Sequence, residues 1–406
     1  MKIPSKIAFS FPKSYTGIMF YITWFLYSFV YSLLSSEYSA VISFNTLNKI
    51  TQYFIILGLG SCYFLSNEII KKRNTRFLIF LSIVLLISVK NINLNFLVMI
   101  MFIIASQNID LEKFLKTDLI FKTFMFVFIV LSCAVGIIEN YRAEINGNVK
   151  MSFGFGHPNV YCFYLFTILL EYMYVNFYKL RLSNISGIIL IFLFAYVTGA
   201  ARTSCISFAM TLFLYIVAKK KRNLVCSKSG VFMIISAIIA VAVLSFVSVR
   251  LYMKNPVKME KYNEILTGRL YLASEFLKIY DINLFGHDVI TVGARAAAQQ
   301  HTVPMILDNA YIRCVLFYGV IFSAFIFILY AKKIIYCARK LDPRLICLAS
   351  FFFVSGFAES YLINIFYNVT LLFLLKKDEY SAIDTINIKT KFKLMAGDNI
   401  WQKIQV

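Results

Sequence analysis

Charged side chains are scarce in this chain of 406 residues: 15% are Asp, Glu, Lys or Arg, whereas 60% are hydrophobic. Soluble domains carry about 25% charged residues, so the composition excludes an ordinary soluble protein. Apolar runs of membrane-spanning length recur from end to end, and they are continuous rather than alternating. Because backbone groups in lipid must be hydrogen-bonded internally, such runs predict membrane-spanning helices.

Motifs for nucleotide, metal and hydrolase chemistry are absent as well. The sequence has no P-loop, dinucleotide-binding fingerprint, DxD-type motif, HExxH or GxSxG elbow. Its eight cysteines lie mostly inside apolar runs and never at CxxC spacing, so we predict neither disulfides nor a metal site. No cofactor is expected. The first long run, Tyr15 to Ser36, lacks a small-residue cleavage site and is typical of a retained span.

Acidic residues are half as frequent as basic ones, 20 against 41, which gives a formal net charge of +21. An excess of this size is also typical of nucleic-acid-binding proteins. Here the basic residues cluster between apolar runs, which is the pattern that orients membrane helices. We therefore expect a lipid bilayer, and no nucleic acid, as the partner of this surface charge.

The apolar runs predict an all-α, polytopic transmembrane helical bundle of about twelve spans. Basic clusters precede the first span and follow the second, sixth, eighth, tenth and twelfth, so both termini are predicted to be cytoplasmic. Residues 1–377 would form the membrane domain, with one large outer loop at about 250–313, and residues 378–406 a polar cytoplasmic tail. The third and fourth runs also fit a short hairpin, and the last two fit one broken segment. The runs are Tyr15 to Ser36, Ile50 to Leu65, Phe77 to Val89, Leu94 to Ser106, Leu119 to Ile138, Pro158 to Phe177, Ile185 to Ala200, Thr203 to Ala218, Gly230 to Val249, Ile312 to Tyr330, Leu345 to Leu362 and Ile363 to Leu375.

The sixth run opens with the unusual stretch SFGFGHPNVYCFYLF (152–166). Gly154 and Gly156 allow a positive φ and the close approach of another group, and Pro158 is tolerated in a first helical turn because its missing N–H would be unpaired there. The stretch therefore predicts a loop that ends at a helix N-terminus, with His157 and Asn159 beside free N–H groups. Such an end suits an anionic ligand. A simple span entry with a chance histidine is the alternative.

Several arginines and all three histidines fall on the predicted outer side, the histidines being His157, His287 and His301. Guanidinium groups match phosphate oxygens in a two-pronged geometry, so an arginine kept near hydrocarbon is a candidate for binding an anion. The candidates are Arg202, Arg250, Arg269 and Arg295. Snorkelling to lipid headgroups is the alternative for each, and it fits Arg250 and Arg295 better than the other two.

Two acidic residues fall inside apolar runs. Glu359, near the outer end of the eleventh run, is a functional candidate because ionisable residues in a membrane are costly to retain. Hydrogen bonding between helices is the alternative. Glu171 lies toward the cytoplasmic end of the sixth run and is expected to reach the headgroups.

Five segments together resemble a known family: SFGFGHPNVYCFYLF, GAARTS, LTGRLYLASEFLK, NLFGHD and LDNAYIRCVLFYGVI. They are similar to the landmarks of the Wzy-type polymerases of capsular polysaccharide and exopolysaccharide, in the O-antigen polymerase and ligase superfamily. The resemblance covers roughly residues 150–370. It implies about twelve spans, one large outer loop and bacterial plasma-membrane localisation.

The resemblance also implies an activity. Members join lipid-linked oligosaccharide repeat units on the outer face of the cytoplasmic membrane. A growing chain on undecaprenyl pyrophosphate is transferred to an incoming lipid-linked unit, and undecaprenyl pyrophosphate is released. Such an enzyme needs cations to stabilise the departing diphosphate, and it needs neither a nucleotide sugar nor a metal. A flippase and a chain-length regulator are the protein partners implied.

Site residues follow from matching positions. Arg202 matches the arginine of the RTS turn and Arg269 the loop arginine of GR; both, with Arg250 and Arg295, are assigned to pyrophosphate. His157 and Asn159 match GHPN.

The ligases of this superfamily resemble a pattern of histidine, a small polar residue, nine further residues and then glycine. In this chain Asp308, Asn309 and Gly319 occupy those three positions, so the expected histidine is an aspartate. The departure favours a polymerase over a ligase. It makes Asp308 the first candidate for the base that activates the acceptor hydroxyl, and His301 the second.

The remaining substrate-binding candidates are His287, Asn309, Tyr311 and Glu359. Asn309 and Asp308 also suit a helix cap before the tenth span, and the two roles are compatible. His287 is equally a candidate for ordering its loop.

Two other functions stay open. A ligase of the same superfamily would move glycan to a different acceptor, and a flippase would carry the lipid-linked unit across the bilayer. A flippase is expected to line a central path with charges and to show repeat symmetry, whereas here the unusual residues gather at outer helix ends.

Overall fold

The computed structural model describes residues 15–42, 44–65, 94–145, 147–181, 185–199, 201–293 and 305–376. Within these ranges the chain is mostly helical. Five helices are long and apolar enough to cross a membrane: Tyr15–Leu34, Leu111–Ala134, Arg202–Lys220, Lys228–Lys254 and Ala310–Arg339. The prediction of a helical membrane protein is confirmed at that level.

The helices follow the apolar runs closely. In chain order they are α1 (Tyr15–Leu34), α2 (Tyr38–Val41), α3 (Asn45–Leu65), α4 (Leu94–Ala105), α5 (Leu111–Ala134), α6 (Pro158–Val175), α7 (Ile185–Thr198), α8 (Arg202–Lys220), α9 (Arg222–Val225), α10 (Lys228–Lys254), α11 (Pro256–Ile265), α12 (Arg269–Ile279), α13 (Ala310–Arg339) and α14 (Arg344–Ser355). Short 3-10 turns cover Ser106–Asn108, Tyr361–Ile363 and Val369–Phe373.

Helix packing builds one extended apolar core and two smaller apolar clusters. Helix α1 packs against α3, α3 against α4, α5 against α6, α8 against α14, and α10 against both α12 and α13. Aromatic rings fill the centre, as where Trp24 packs edge-on against Phe102 and Phe114 at centroid distances of 5.0 Å each. Many other apolar side chains, among them Phe213, Phe232 and Met233, are exposed in the isolated chain, as expected for lipid-facing helices.

Helix α13 is broken at Gly319, whose φ of 84° and ψ of 167° are not helical. Backbone groups freed by the break bond to the loop that carries NLFGH: His287 N donates to Leu316 O (2.7 Å) and Val320 N to Asn283 O (3.0 Å). A Cβ on Gly319 would lie 2.2 Å from Leu284 O, so only glycine allows this approach. Two of the five segments, NLFGHD and LDNAYIRCVLFYGVI, are thus hydrogen-bonded to each other through their backbones.

The structure departs from the sequence prediction at several points. Helix α14 ends at Ser355, and residues 356–376, which include the end of the eleventh predicted run and the whole of the twelfth, hold only short 3-10 turns. Asparagines cause part of this departure because their side chains bond to the local backbone: Asn364 Oδ1 accepts from Phe366 N (3.1 Å) and Asn368 Oδ1 from Thr370 N (3.2 Å).

An antiparallel hairpin, β1 (Arg142–Ile145) with β2 (Asn148–Met151), adds a small sheet to a fold expected to be all-α. The large outer loop also contains two helices, α11 and α12. The third predicted span and the tail 378–406 lie outside the described residues.

Glu171 does not reach a headgroup, contrary to expectation. It is buried between helices, and Lys122 Nζ lies 2.6 Å from its Oε1 and 2.8 Å from Asp118 Oδ2. Trp24 Nε1 donates to the other Asp118 oxygen at 2.7 Å. Lys122 on α5 is thus one cation shared by a carboxylate on α5 and another on α6, which ties these helices together.

Candidate functional site

Four helices begin around one buried carboxylate. Glu359 lies just after α14, its side chain is 3% exposed, and it accepts hydrogen bonds from groups at the starts of α6, α8 and α12. The start of α13 joins them through Asp308. Helix N-termini carry partial positive charge, so their meeting favours an anion at this point. Glu359 supplies that anion.

Arg269 is the cation of the site, and it is held on three sides. Its Nη2 donates to Glu359 Oε1 (3.0 Å), its Nε to Asp308 Oδ2 (3.3 Å) and its Nη1 to Thr203 Oγ1 (3.2 Å). Arg269 is the first residue of α12 and follows Gly268, whose φ of 80° turns the chain into the helix. Burial alone would lower the pKa of Arg269, but the carboxylates of Glu359 and Asp308 outweigh it and raise the pKa.

The GHPN segment contributes the amide of the site. Asn159 Nδ2 donates to both oxygens of Glu359, at 3.0 and 3.3 Å. His157 caps α6, where its Nδ1 accepts from Asn159 N (3.1 Å), and Pro158 occupies the first helical turn as predicted. Because Nδ1 accepts, the neutral ring is the form that caps. Burial lowers the pKa of His157, opposed by Asp308 and aided by Arg269.

The RTS segment contributes two hydroxyls that sequence reasoning missed. Thr203 Oγ1 donates to Glu359 Oε1 at 3.1 Å, and Ser204 Oγ donates to the same oxygen at 3.4 Å. Both follow Arg202 at the start of α8. Their position after an arginine in a tight turn was the available signal.

Asp308 and Asn309 divide the two predicted roles. Asn309 is the cap of α13, as its Oδ1 accepts from Tyr311 N (3.1 Å) and Ile312 N (3.0 Å), and its Nδ2 donates to Phe357 O (3.0 Å). Asp308 does not cap. Its side chain is 29% exposed and turns toward Arg269, so it is the more accessible of the two carboxylates.

The site's formal charge is negative. Two carboxylates, Glu359 and Asp308, surround one guanidinium, Arg269. In this form the site has a partly exposed carboxylate able to accept a proton from a hydroxyl, and a guanidinium whose charge is already shared.

The other predicted residues lie elsewhere or serve packing. Arg202 is exposed at the first position of α8, directly before Thr203, and Arg250 is exposed near the end of α10. Tyr311 is buried and its hydroxyl donates to Phe353 O at 2.6 Å, which fastens α13 to α14 rather than facing the site.

His287 orders its loop: Nε2 bonds Asp281 O at 2.6 Å. Arg295 and His301 lie outside the described residues.

A cavity of about 230 Å³ is lined by residues that lie close in the chain to the two carboxylates. Ala310 and Ser360, which line it, lie within two residues of Asp308 and Glu359. Among the described residues, the lining consists of Tyr27, Tyr31, Asn95, Met99, Ala310, Arg313, Cys314, Tyr318, Ser360, Tyr361, Ile363, Asn364 and Ile365. Arg313 is its cation, and sequence reasoning missed this residue because it lies inside the segment LDNAYIRCVLFYGVI, where nothing but its charge singles it out.

Among the residues that the structure describes, no three His, Cys, Asp or Glu side chains are grouped as metal ligands. Comparisons of the chain with protein-family models, with curated proteins and with solved structures give no match.

Proposed function

We propose that this chain is a polysaccharide polymerase that transfers a growing glycan from undecaprenyl pyrophosphate to an incoming lipid-linked repeat unit. The observation that carries the proposal is the meeting of segments 157–159, 202–204, 269, 308–309 and 359 at one point. Four of the five segments that resemble the Wzy-type polymerases supply side chains or helix ends to this site or its cavity. Packing alone does not require a partly exposed carboxylate beside a buried ion pair.

Asp308 acts as the base in this reaction. It takes the proton from the acceptor sugar hydroxyl, and the hydroxyl oxygen forms a bond to the anomeric carbon of the donor. The bond from that carbon to the pyrophosphate oxygen breaks, and undecaprenyl pyrophosphate leaves with the electron pair. Arg269 fixes Asp308 and Glu359 in place. Arg202, exposed at the start of α8, supplies positive charge for the departing group.

Bacterial plasma-membrane localisation, an outward-facing site, and a flippase and chain-length regulator as partners belong to the same proposal. The five membrane-length helices support the location in a bilayer.

Glycan laddering in cells tests the proposal. Arg269→Ala, Arg202→Ala and Asp308→Asn should each abolish long polymer and leave single repeat units on lipid. Arg142→Ala is the control, because Arg142 is exposed in β1 and contacts none of the site residues named above. Long polymer of normal length in the three site variants, at normal protein levels, would contradict the assignment.

A flippase is the second candidate, and the feature that bears on it is the ion cluster of Lys122, Asp118 and Glu171 between α5 and α6. These side chains are at most 1% exposed, so they do not face a path for substrate, and the polymerase is the better supported function. Leaflet assays separate the two functions. Loss of a polymerase leaves single repeat units in the outer leaflet, whereas loss of a flippase holds them in the inner leaflet.

A further inference from the structure

The cavity lined by Ala310 and Ser360 contains a guanidinium, that of Arg313, which is differently placed from Arg269. Arg313 stacks over the Phe317 ring at 4.5 Å and donates one hydrogen bond, from Nη1 to Leu307 O at 3.3 Å. Within the described ranges it forms no ion pair with a carboxylate, whereas Arg269 contacts two. A guanidinium in a partly buried cavity without an acidic partner is costly, so the cavity favours an anion.

The rest of the lining agrees with that charge. Tyr31, Asn364, Ser360 and Asn95 offer hydroxyl and amide groups, and the lining residues that the structure describes include no Asp or Glu. Asn364 Nδ2 and the Tyr31 hydroxyl are already bonded to each other at 2.5 Å, which fixes both side chains in place. Arg313 also lies in the first turns of α13, where the helix end adds positive potential.

Size restricts what the cavity can hold. At about 230 Å³ it is smaller than the roughly 300–1,000 Å³ typical of pockets for drug-sized ligands. It could hold about eight waters at about 30 Å³ each. A diphosphate group fits this space, and a whole oligosaccharide does not.

We propose that this cavity receives the diphosphate of the lipid-linked donor and that Arg313 binds it as the leaving group. The proposal rests on the proposed function and assigns the acceptor and the leaving group to different residues. Asp308 faces the acceptor hydroxyl, and Arg313, five residues along the chain, holds the departing diphosphate. The carboxylates already neutralise Arg269, so Arg313 has more of its charge available to the ligand.

Binding to the purified full-length protein in detergent tests the proposal. The probes are a short polyprenyl pyrophosphate, inorganic pyrophosphate and the matching polyprenyl alcohol, titrated at one fixed ionic strength. Arg313→Gln and Arg313→Ala should each weaken polyprenyl pyrophosphate binding about tenfold or more, since hydrogen bonds to charged groups contribute about 1.5–3 kcal/mol. Arg313→Lys should fall between them and the wild type because it keeps the charge and loses the fork. Arg142→Ala should bind as the wild type.

Every arm of the experiment bears on the assignment. Competition by inorganic pyrophosphate that is lost in Arg313→Gln supports recognition of the diphosphate itself. Binding of the alcohol as tightly as the pyrophosphate would overturn it, as would wild-type affinity in Arg313→Gln that unfolds at the wild-type temperature. If binding does not depend on Arg313 but Asp308→Asn still blocks polymer formation, the Arg313 assignment is wrong and the proposed function stands. If binding depends on Arg313 but the wild type forms no polymer, the proposed function is wrong and the binding of diphosphate by Arg313 stands.

Discussion

Replacing Arg269 by Met removes the guanidinium that pairs with both carboxylates of the site and is expected to destabilise the protein measurably. Glu359 is 3% exposed and would lose its 3.0 Å ion pair, which typically costs about 3–5 kcal/mol when a buried pair is broken. Asp308 is 29% exposed, so water offsets most of its loss, and its share is about 0–1 kcal/mol. Since Asn159, Thr203 and Ser204 still donate to Glu359, we expect about 3 kcal/mol in total.

A second substitution separates the charge from the packing. In Arg269→Met/Glu359→Gln the buried charge is gone, so most of the lost stability should return, because well-packed neutral groups replace a buried ion pair at little cost. Transfer activity should stay absent in the double variant. Lys113→Ala is the control: its pair with Asp110 at 3.2 Å is 61% and 52% exposed, so it should change stability by less than about 1 kcal/mol.

Chemical unfolding in mixed micelles, monitored by far-UV circular dichroism, measures all four proteins under the same conditions. The reasoning fails if Arg269→Met unfolds at the wild-type denaturant concentration. It also fails if the double variant is no more stable than the single one, because buried charge would then not be the cause.

Three further predictions follow from the same structure. Lys122→Ala should lower the free energy of unfolding by about 3–5 kcal/mol, because Lys122 is 1% exposed and lies between two buried carboxylates. Chemical unfolding measures this change, and Lys113→Ala on the same helix is again the control. Gly319→Ala should lower the unfolding midpoint, at a cost of about 1–3 kcal/mol, since the φ of 84° and ψ of 167° at Gly319 suit glycine alone. Gly187→Ala in α7 is the matched control: a Cβ there meets nothing within 4 Å, so this substitution should raise the unfolding midpoint. The pKa of His157 is lowered by burial, so the stability that its neutral ring gives is complete above its ordinary pKa of about 6.5 and is lost as the pH falls below it. The thermal unfolding temperature should therefore fall less between pH 7.5 and 5 in His157→Asn than in the wild type. Parallel pH profiles of the two proteins would contradict this.

Local features of the fold were within reach of the sequence. Pro158 in the first turn of α6, Asn309 as the cap of α13 and a positive φ at Gly154 each depend on a few neighbouring residues, and each is found in the structure. Gly156, which could also have adopted a positive φ, does not. The end of α14 was not predicted, because hydrophobicity alone does not reveal asparagines that bond their own backbone. The break at Gly319 was missed because its partner, the loop at 283–287, lies over thirty residues away.

The sequence predicted several residues of the candidate site but not their arrangement. Arg269, Asp308, Asn159 and Glu359 were all singled out by residue type and position, but their meeting depends on packing between helices distant in the chain. Arg269 was expected to be open to a diphosphate, and the two carboxylates beside it could not be inferred from spacing.

Buried ion partners escaped prediction for a related reason. Lys122 and Asp118 lie four residues apart on one helix, where they suggest an ordinary exposed pair, and only the third group on α6 makes them a buried cluster.

The most direct test of the account supplies purified protein with a defined lipid-linked repeat unit and no other enzyme, and measures polymer length together with released undecaprenyl pyrophosphate. The account predicts that the wild type produces a ladder with one lipid pyrophosphate released per bond formed, and that correctly folded Asp308→Asn produces neither. A ladder of equal length from Asp308→Asn, or lipid-linked units that remain unjoined by the wild type, would contradict it.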